Sequence, residues 1–214
     1  MRVVLFGRDG KVGSVLAPAL RAAGHEVTGV ELGDDVDPAG HDAAVDFTAP
    51  AAVVGNAARC LGAGVPCVIG TTGLDDAGLE RLDRLAREHG LPCFVVPNFA
   101  IGAVLMMRFA AEAARAMPRA EIVELHHDTK VDAPSGTAKA TAERMGGDVP
   151  IHSVRLPGLV AHQEVILGAP GQTLTIRHDT TSREAFVPGV VLALDRLGTL
   201  PAGVTVGLDA ILHG

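Results

Sequence analysis

A short apolar strand that runs directly into a glycine-rich turn constrains the fold of this chain more than any other feature. Residues 2–6, Arg-Val-Val-Leu-Phe, form an apolar run typical of a buried parallel strand. Three glycines follow in the spacing G-x-x-G-x-x-G, starting at Gly7, and residues 14–23 have helical character. Glycines in such a turn let the backbone approach a pyrophosphate, which the N-terminus of the helix then binds. The segment therefore predicts the first βαβ unit of a dinucleotide-binding sheet.

The glycine triplet by itself has two interpretations. The usual dinucleotide-binding spacing is G-x-G-x-x-G, and an ordinary turn between a strand and a helix would also explain the spacing found here. A second extended run at residues 26–30 is followed by the acidic Glu31. An acid in this place accepts hydrogen bonds from an adenosine ribose, so the context favours the dinucleotide site.

Strands and helices alternate through the first half of the chain. Strand-like runs recur at residues 43–46, 66–69 and 92–96, with helix-like runs at 51–61 and 75–88. This alternation predicts a doubly wound parallel sheet, whose ligands bind at the carboxyl ends of the strands. Three segments fall at those ends and are grouped into one site: residues 46–48, 70–73 and 97–99.

The pattern changes after Gly102. Helix-like and strand-like runs then predict an α+β domain with a mostly antiparallel or mixed sheet. The predicted fold class is thus α/β, an N-terminal Rossmann-like parallel sheet with a C-terminal α+β domain. We place a dinucleotide-binding domain at residues 1–101 and a substrate-binding and oligomerisation domain at 102–181. A C-terminal helix within about 182–214 is expected to pack back on the first domain.

Charge and composition narrow the functional class. The 214 residues carry a formal net charge of −7, with 48% hydrophobic and 20% charged residues, which fits a folded chain and argues against non-specific nucleic-acid binding. No run of about eighteen apolar residues predicts a membrane span, and no signal peptide is visible, so we expect a cytoplasmic protein. Cys60, Cys67 and Cys93 lack C-x-x-C spacing and are expected to be buried, reduced thiols.

The densest group of protonatable residues lies between Glu124 and Thr137, in the order Glu-Leu-His-His-Asp-Thr-Lys-Val-Asp-Ala-Pro-Ser-Gly-Thr. Imidazoles exchange protons near neutral pH, a lysine adds positive charge, and the Pro-Ser-Gly-Thr turn offers backbone N–H groups. Such a set suits an anionic substrate that must also be protonated. The paired His126 and His127 could instead be one core and one surface histidine, because neighbours in a strand face opposite sides. A metal site is a further alternative, although no cysteine or further spaced histidine completes it.

The whole chain resembles one family, the bacterial dihydrodipicolinate reductases (4-hydroxy-tetrahydrodipicolinate reductases), in a form similar to the actinobacterial branch. The histidine-lysine segment is the longest and most specific of the motifs that carry the resemblance. The others are the glycine turn, Val45-Asp-Phe-Thr-Ala-Pro50, Gly70-Thr-Thr-Gly73, Pro97-Asn-Phe-Ala-Ile-Gly102 and, later, residues 159–165, 175–178 and 186–189. The chain departs from the family pattern in two places. Thr129 stands where many members carry a third histidine, and the connection at residues 144–151 is usually longer in the family.

The resemblance implies a cytoplasmic homotetramer, without a metal, that uses NADH or NADPH to reduce 4-hydroxy-tetrahydrodipicolinate in lysine and diaminopimelate biosynthesis. It implies an acid/base role for His126 and proton donation by Lys130. The cyclic dicarboxylate substrate would be bound by His127, Lys130, Gly136 and Thr137. The residues expected to bind the cofactor follow the strand ends: Gly7, Arg8, Asp9, Gly10, Lys11, Val12, Glu31, Phe47, Gly70, Thr71, Thr72, Val96, Pro97, Asn98 and Phe99.

Two rival functions and the choice of cofactor stay open at this point. The chain could be another NAD(P)-dependent dehydrogenase of similar architecture, or a dinucleotide-binding protein without catalytic activity. Glu31 favours the ribose diol of NADH, and three nearby aspartates would repel the 2′-phosphate of NADPH. Arg8 and Lys11 could still neutralise that phosphate. We therefore expect both cofactors to be used, with NADH at least as effective.

Overall fold

The structure, a computed structural model, describes residues 1–117 and 119–212. Contacts between Cα atoms divide the chain into two compact units. The first unit comprises residues 1–99 together with the chain from residue 186 onward, and the second comprises residues 100–185.

The first unit is a parallel sheet of six strands covered by helices. The strand order is β10-β5-β4-β3-β1-β2, and each neighbouring pair is parallel. The strands are β1 (Arg2–Phe6), β2 (Glu26–Val30), β3 (Ala43–Asp46), β4 (Cys67–Ile69), β5 (Pro92–Val95) and β10 (Gly203–Val206). The helices are α1 (Gly13–Ala22), α2 (Pro50–Gly62), α3 (Asp76–Glu88) and α6 (Val187–Arg196), with short 3-10 helices at Leu197–Thr199 and Leu208–Ile211; a further 3-10 helix, Arg183–Phe186, begins in the second unit and ends at the first residue of the C-terminal segment of the first unit. No helix within the described residues is long and apolar enough to cross a bilayer.

Burial explains why the apolar runs of the first unit form strands and helices. Val3, Val4 and Leu5 of β1 are all fully buried, as expected for a strand covered on both faces. Helix α3 begins where the Asp75 side chain accepts a hydrogen bond from the Gly78 N–H at 2.8 Å. Its Leu82 is fully buried in the core, and such burial stabilises the fold by about 1.5–3 kcal/mol for each large apolar side chain.

Three cysteines lie in the core of the first unit. Cys60, Cys67 and Cys93 are buried free thiols, and Cys67 stands beside Cys93 in the register of β4 and β5. A hydrogen bond with Cys60, together with burial, raises the pKa of Cys67. Burial and the charge of Asp83 raise the pKa of Cys93 to about 12. These two thiols therefore stay protonated near neutral pH.

The C-terminal helix expected within about 182–214 occupies only part of that range. Helix α6 covers Val187–Arg196 only, and it packs on α1 within the first unit. Strand β10 follows as the edge strand beside β5, because the short β-branched run Val-Thr-Val extends the sheet and the N–H of Val204 binds Asp83 Oδ1 at 2.8 Å. The last two residues of the predicted helix, 213 and 214, lie outside the described residues.

The second unit contains a mixed four-stranded sheet and two helices. The strand order is β7-β6-β8-β9, in which β6 and β7 are parallel and the other pairs are antiparallel. Ile122, Val165 and Leu167 are fully buried from the sheet in the same core as residues of both helices. Together with the parallel sheet of the first unit, this arrangement confirms the predicted fold class. The elements are α4 (Ile101–Ala114), β6 (Arg119–His126), α5 (Gly136–Arg144), β7 (Ile151–Arg155), β8 (Ala161–Ala169) and β9 (Gln172–Thr180).

Candidate active site

Two glycines of the turn in the first unit, Gly7 and Gly13, are packed so closely that no side chain can replace them. Gly7 has φ +78°, and a Cβ on it would stand 2.6 Å from the backbone oxygen of Phe47. A Cβ on Gly13, the first residue of α1, would stand 2.0 Å from the backbone oxygen of Gly7. The turn therefore presents bare backbone at the N-terminus of a helix, which is the arrangement that binds a pyrophosphate.

A cavity of about 470 Å³ lies beside this turn, within the size range of ligand sites. Four of the predicted cofactor residues line it: Gly7, Gly10, Glu31 and Phe47. Glu31 lies against the turn, because its Oε1 accepts a hydrogen bond from the Asp9 N–H at 2.6 Å. The cavity and its acid fit the adenosine end of a dinucleotide.

The two cations predicted at the turn are exposed. The Arg8 guanidinium donates to the backbone oxygen of Gly29 at 3.2 Å and lies 3.3 Å from an oxygen of Asp9. Lys11 follows in the same turn, and its side chain is exposed to solvent. Arg8 is thus already bound to the protein, which limits its freedom to neutralise a phosphate.

The buried carboxylate of Asp46 accepts hydrogen bonds from the segments that follow β3 and β4. Asp46 Oδ1 accepts hydrogen bonds from the Thr48 hydroxyl at 2.7 Å and from the Thr71 hydroxyl at 2.8 Å. Its Oδ2 accepts one from Asn56 Nδ2 at 2.8 Å, which adds helix α2 to the network. Sequence reasoning missed Asn56, since nothing in a helical segment marks one amide as the partner of a strand-end carboxylate. The network fixes the backbone around the cavity.

The predicted residues at the ends of β4 and β5 fall into two groups. Val96 and Phe99 are buried, and the Phe99 ring stands 5.4 Å from that of Phe47, so their side chains belong to the core. Thr71 is buried with its hydroxyl bound to Asp46. A cofactor could meet these three residues only through their backbone. Gly70, Thr72, Pro97 and Asn98 are partly or fully exposed at the same edge of the sheet.

In the second unit, a histidine and a glutamate occupy the same face at the end of β6. Residues two apart in a strand point to the same side, and His126 Nδ1 lies 2.5 Å from Glu124 Oε2. The His126 side chain is 14% exposed, whereas that of Glu124 is 0% exposed. The imidazole therefore lies at the surface of the unit with a buried carboxylate behind it.

Arg155 holds the Glu124 carboxylate in its ionised form. The two terminal nitrogens of Arg155 donate to the two carboxylate oxygens at 2.9 and 2.7 Å, and the Ser135 N–H donates to Oε1 at 3.2 Å. Burial by itself raises the pKa of Glu124, but hydrogen bonds from Arg155, Ser153 and His126 outweigh it and hold the pKa at about 2. An ionised carboxylate only accepts, so His126 Nδ1 must donate the proton between them.

His126 is a weaker base than an ordinary histidine. Burial lowers its pKa, the charges of Lys130 and Arg155 add to the decrease, and Glu124 acts in the opposite direction. The imidazole is therefore neutral at pH 7, with its Nε2 lone pair directed away from Glu124. Once protonated at Nε2, such a group gives up its proton readily, which suits a general acid.

Lys130 and His127 follow β6 in a turn closed by the Lys130 N–H and the backbone oxygen of His127. The Lys130 side chain is 21% exposed, and its Nζ lies 2.6 Å from Asp132 Oδ1. His127 Nδ1 lies 2.7 Å from the hydroxyl of Thr129. The ammonium of Lys130 is thus held beside the carboxylate of Asp132 in the segment that follows β6.

The N-terminus of α5 supplies the remaining predicted residues. Ser135 caps the helix, with its Oγ accepting from the Ala138 N–H at 3.2 Å, and Gly136 and Thr137 form the first turn. The first N–H groups of a helix lack partners within it and attract anions. A Cβ placed on Gly136 would meet no atom within 4 Å, so open space lies beside the turn.

The sequence did not reveal the role of Arg155. This residue joins Glu124 across 31 positions of the chain, because β7 pairs with β6 and sets Arg155 opposite His126. Only the register of the sheet brings them together, and nothing near Arg155 in the sequence indicates that register. The alternation of side chains along β6, in contrast, did predict that Glu124 lies on the same face as His126. Among the described residues, no group of three or more histidines, cysteines and acids could hold a metal ion.

Two family models match almost the whole chain. The model for "Dihydrodipicolinate reductase, N-terminus" matches residues 21–99, and the model for "Dihydrodipicolinate reductase, C-terminus" matches residues 102–212.

Curated relatives agree with these matches. The 4-hydroxy-tetrahydrodipicolinate reductase of Desulfitobacterium hafniense (strain DSM 10664 / DCB-2) is 46% identical over 232 residues, covering 97% of this chain and 85% of the relative. The enzyme of the same name from Cutibacterium acnes is 43% identical over 243 residues, covering 99% and 98%.

Solved structures share the fold. Dipicolinate-bound dihydrodipicolinate reductase from Paenisporosarcina sp. TG-14 has a TM-score of 0.88 and 34% identity, covering 99% of both chains. An amine dehydrogenase from Mycobacterium smegmatis has a TM-score of 0.72 at 14% identity, covering 98% of this chain and 95% of that one, a likeness of fold alone.

Proposed function

This chain belongs to the dihydrodipicolinate reductase family, and we propose that it uses NADH or NADPH to reduce 4-hydroxy-tetrahydrodipicolinate to tetrahydrodipicolinate in lysine and diaminopimelate biosynthesis. The observation that carries the proposal is the neutral imidazole of His126, held by a buried carboxylate whose Oε1 also binds the capped N-terminus of α5. That arrangement can bind an anionic ring, and the imidazole can pass a proton to the ring once its Nε2 has taken one up.

The first unit would hold the cofactor. The bare backbone of the glycine turn fits a pyrophosphate, and Glu31 in the adjacent cavity fits a ribose diol. When bound, the cofactor supplies the hydride. Val96, Phe99 and Thr71 would contribute backbone contacts only, whereas Gly70, Thr72, Pro97 and Asn98 are accessible.

The second unit would hold the two carboxylates of the ring. Lys130 and His127 supply positively charged or donating side chains, and the N–H groups of Gly136 and Thr137 supply backbone donors at a helix terminus. One proton must accompany the hydride, while the hydroxyl leaves the ring as water. His126 or Lys130 is the source of that proton, since each carries a proton-transferring nitrogen in the same segment.

The test is an assay of NADH oxidation with freshly generated 4-hydroxy-tetrahydrodipicolinate. We expect His126→Ala and Lys130→Ala each to lower kcat/KM by roughly 10²- to 10⁴-fold, the usual contribution of general acid–base groups. His152→Ala is the matched control, because His152 pairs with the exposed Glu121 on the same sheet. Wild-type rates in both folded site variants would contradict the assignment.

The assay also separates the two rival functions. A protein that binds dinucleotides without catalysis would bind NADH but leave it unoxidised in the presence of the substrate. A different dehydrogenase would accept substrates that lack one of the two ring carboxylates. Family membership and the carboxylate-binding geometry of the second unit favour the reductase over both.

We extend the proposal to the oligomeric state of the protein and to its place in the cell. The chain would work as a homotetramer in the cytoplasm, binding a small dicarboxylate and neither nucleic acid nor membrane. Light scattering on the purified protein would then give four times the 21.9 kDa chain mass. A monomer at assay concentration would contradict the tetramer and leave the reaction untouched.

A further inference from the structure

A row of polar side chains crosses the sheet of the second unit, where a row of apolar core residues would be expected. Ser153, Glu124 and Gln163 stand opposite one another on β7, β6 and β8. Glu124 and Gln163 are buried, although the neighbouring row contains Ile122 and Val165 of the core. Buried polar groups cost stability unless they are hydrogen-bonded, so such a row calls for a reason beyond folding.

The row contacts α5 at two places, the capping residue before its first turn and Thr141 in its second turn. Glu124 Oε1 accepts from the N–H of the capping residue Ser135 at 3.2 Å. Gln163 Nε2 donates to the Thr141 hydroxyl at 2.7 Å, and that hydroxyl donates to the backbone oxygen of Thr137 at 2.8 Å. The N-terminal half of α5 is therefore hydrogen-bonded to the two buried residues of this row, and one of them, Glu124, also contacts His126.

Glu124 is the residue of this row that contacts His126, helix α5 and Arg155 at once. Its carboxylate contacts the imidazole of His126, the backbone of Ser135 and both terminal nitrogens of Arg155. We propose that Glu124 is a positioning residue that sets the tautomer of His126 and fixes the first turn of α5 beside it, with Arg155 as its counter-charge. The role rests on the proposed function, since it assumes that His126 transfers a proton to or from the substrate.

The tautomer follows from the chemistry of the pair. An ionised carboxylate cannot donate, so it selects the form of His126 that carries its proton on Nδ1. Nε2 is then the atom available to the substrate. An amide in place of the carboxylate could donate to Nδ1 instead and select the opposite tautomer, which blocks proton uptake at Nε2. In a serine protease triad, the same kind of exchange lowers kcat by about 10⁴-fold.

Arg155 extends the arrangement to the segment that carries Lys130. One terminal nitrogen donates to the backbone oxygen of Asp132 at 2.8 Å while also binding Glu124. Asp132 in turn pairs with the ammonium of Lys130 at 2.6 Å. The ion pair of Glu124 and Arg155 thus contacts His126 directly and is linked to Lys130 through Asp132.

The first test is a comparison of the wild type with Glu124→Gln by long-range ¹⁵N–¹H NMR of the histidine rings. The His126 signals are assigned by their loss in His126→Ala. We expect the Nδ1–H tautomer in the wild type and a shift toward Nε2–H in Glu124→Gln. Glu121→Gln is the matched control, because it breaks the exposed pairing with His152 and leaves His126 untouched. A wild-type Nε2–H tautomer, or an unchanged tautomer in Glu124→Gln, overturns the proposal.

Kinetics give the second test. Glu124→Gln should lower kcat/KM by roughly 10- to 1000-fold, with little loss in Glu121→Gln. The pH limb of kcat/KM that belongs to His126 should move to lower pH, because Glu124 is the charge that raises the pKa of this imidazole against Lys130 and Arg155. A rate and a pH limb equal to those of the wild type would also overturn the proposal.

Glu124→Gln leaves Arg155 without its full partner and could fail to fold. The double variant Glu124→Gln/Arg155→Met removes both charges and should fold while still losing the Nδ1–H tautomer. The NMR measurement needs no substrate, so the two proposals fail separately. A wild type with the expected tautomer and no reductase activity overturns the proposed function, whereas an active enzyme with an unaltered tautomer in the variants overturns the positioning role.

Discussion

At the scale of residues, the second unit depends on charges that only the folded register brings together. The alternation of β6 predicts that Glu124 and His126 share a face, and the structure confirms that contact. The contact between Arg155 and Glu124 could not be predicted from the sequence, because it depends on the pairing of two strands. The ionisation of Glu124 likewise depends on contacts distant in the chain, and its consequences can be measured.

Glu124 should make the second unit sensitive to acid. Its folded pKa of about 2 lies below the ordinary 4.5, so its contribution is fully present above pH 4.5 and is lost as the pH falls toward 2. That difference corresponds to about 3 kcal/mol of unfolding free energy. Urea denaturation of the wild type at pH 6 and at pH 3 should reveal most of the loss.

Glu124→Gln does not titrate at this position, so its unfolding free energy should fall less between the same pH values. Glu121→Gln should behave like the wild type, since the side chain of Glu121 is exposed. Equal pH dependence in the wild type and Glu124→Gln would show that the buried carboxylate is not ionised.

Gly136 offers a test of substrate binding by backbone amides. A methyl group at this position meets no protein atom within 4 Å, so Gly136→Ala should fold normally. The proposed function places a substrate carboxylate at this turn, and the methyl group would then crowd it. We expect KM to increase about tenfold, or 1.4 kcal/mol, without a decrease in Tm. Gly198→Ala, which is equally unobstructed, should leave KM unchanged.

At the scale of elements, alternating apolar runs were enough to predict most strands and helices. Both sheets follow from that pattern because strand burial and helical periodicity leave different sequence signals. Strand β10 escaped prediction because its four residues lie within the range assigned to the C-terminal helix. Its place as an edge strand depends on β5 and on Asp83, which binds the N–H of Val204.

Gly203, at the start of β10, should be the glycine of this edge strand whose substitution destabilises the fold most. Its φ is +112°, and a Cβ would stand 2.7 Å from Asp83 Oδ1. Gly203→Ala should therefore lower the unfolding free energy by about 1–3 kcal/mol in urea titrations. Gly168→Ala in β8 is the matched control, because its Cβ meets nothing within 4 Å. Equal effects of the two substitutions would contradict this account.

At the scale of the whole molecule, each unit is expected to bind one reactant: a dinucleotide in the first and a dicarboxylate in the second. The fold class and the family could be predicted from motifs spread along the chain. The individual contacts of the cofactor stay predictions, because they depend on backbone groups at strand ends rather than on recognisable side chains. The choice between NADH and NADPH depends on the charges around one cavity.

We expect the protein to use both cofactors, with NADH at least as effective. Glu31 and Asp34 line the cavity, and their charges repel a 2′-phosphate. Arg59 lines it as well, but its guanidinium donates to the backbone oxygen of Val36 at 2.9 Å and lies 3.7 Å from Asp35. The ratio of kcat/KM for the two cofactors measures the preference, and a large ratio in favour of NADPH would contradict the prediction.

The buried thiols of the first unit have a practical consequence. Alkylating reagents attack thiolates, and Cys67 and Cys93 are both shielded from solvent and held protonated, while Cys60 is shielded alongside them. A single cysteine engineered onto the surface would then react with a maleimide dye far faster than any of the three. Fluorescent derivatives of the folded protein could be prepared without first mutating its native sulfhydryls.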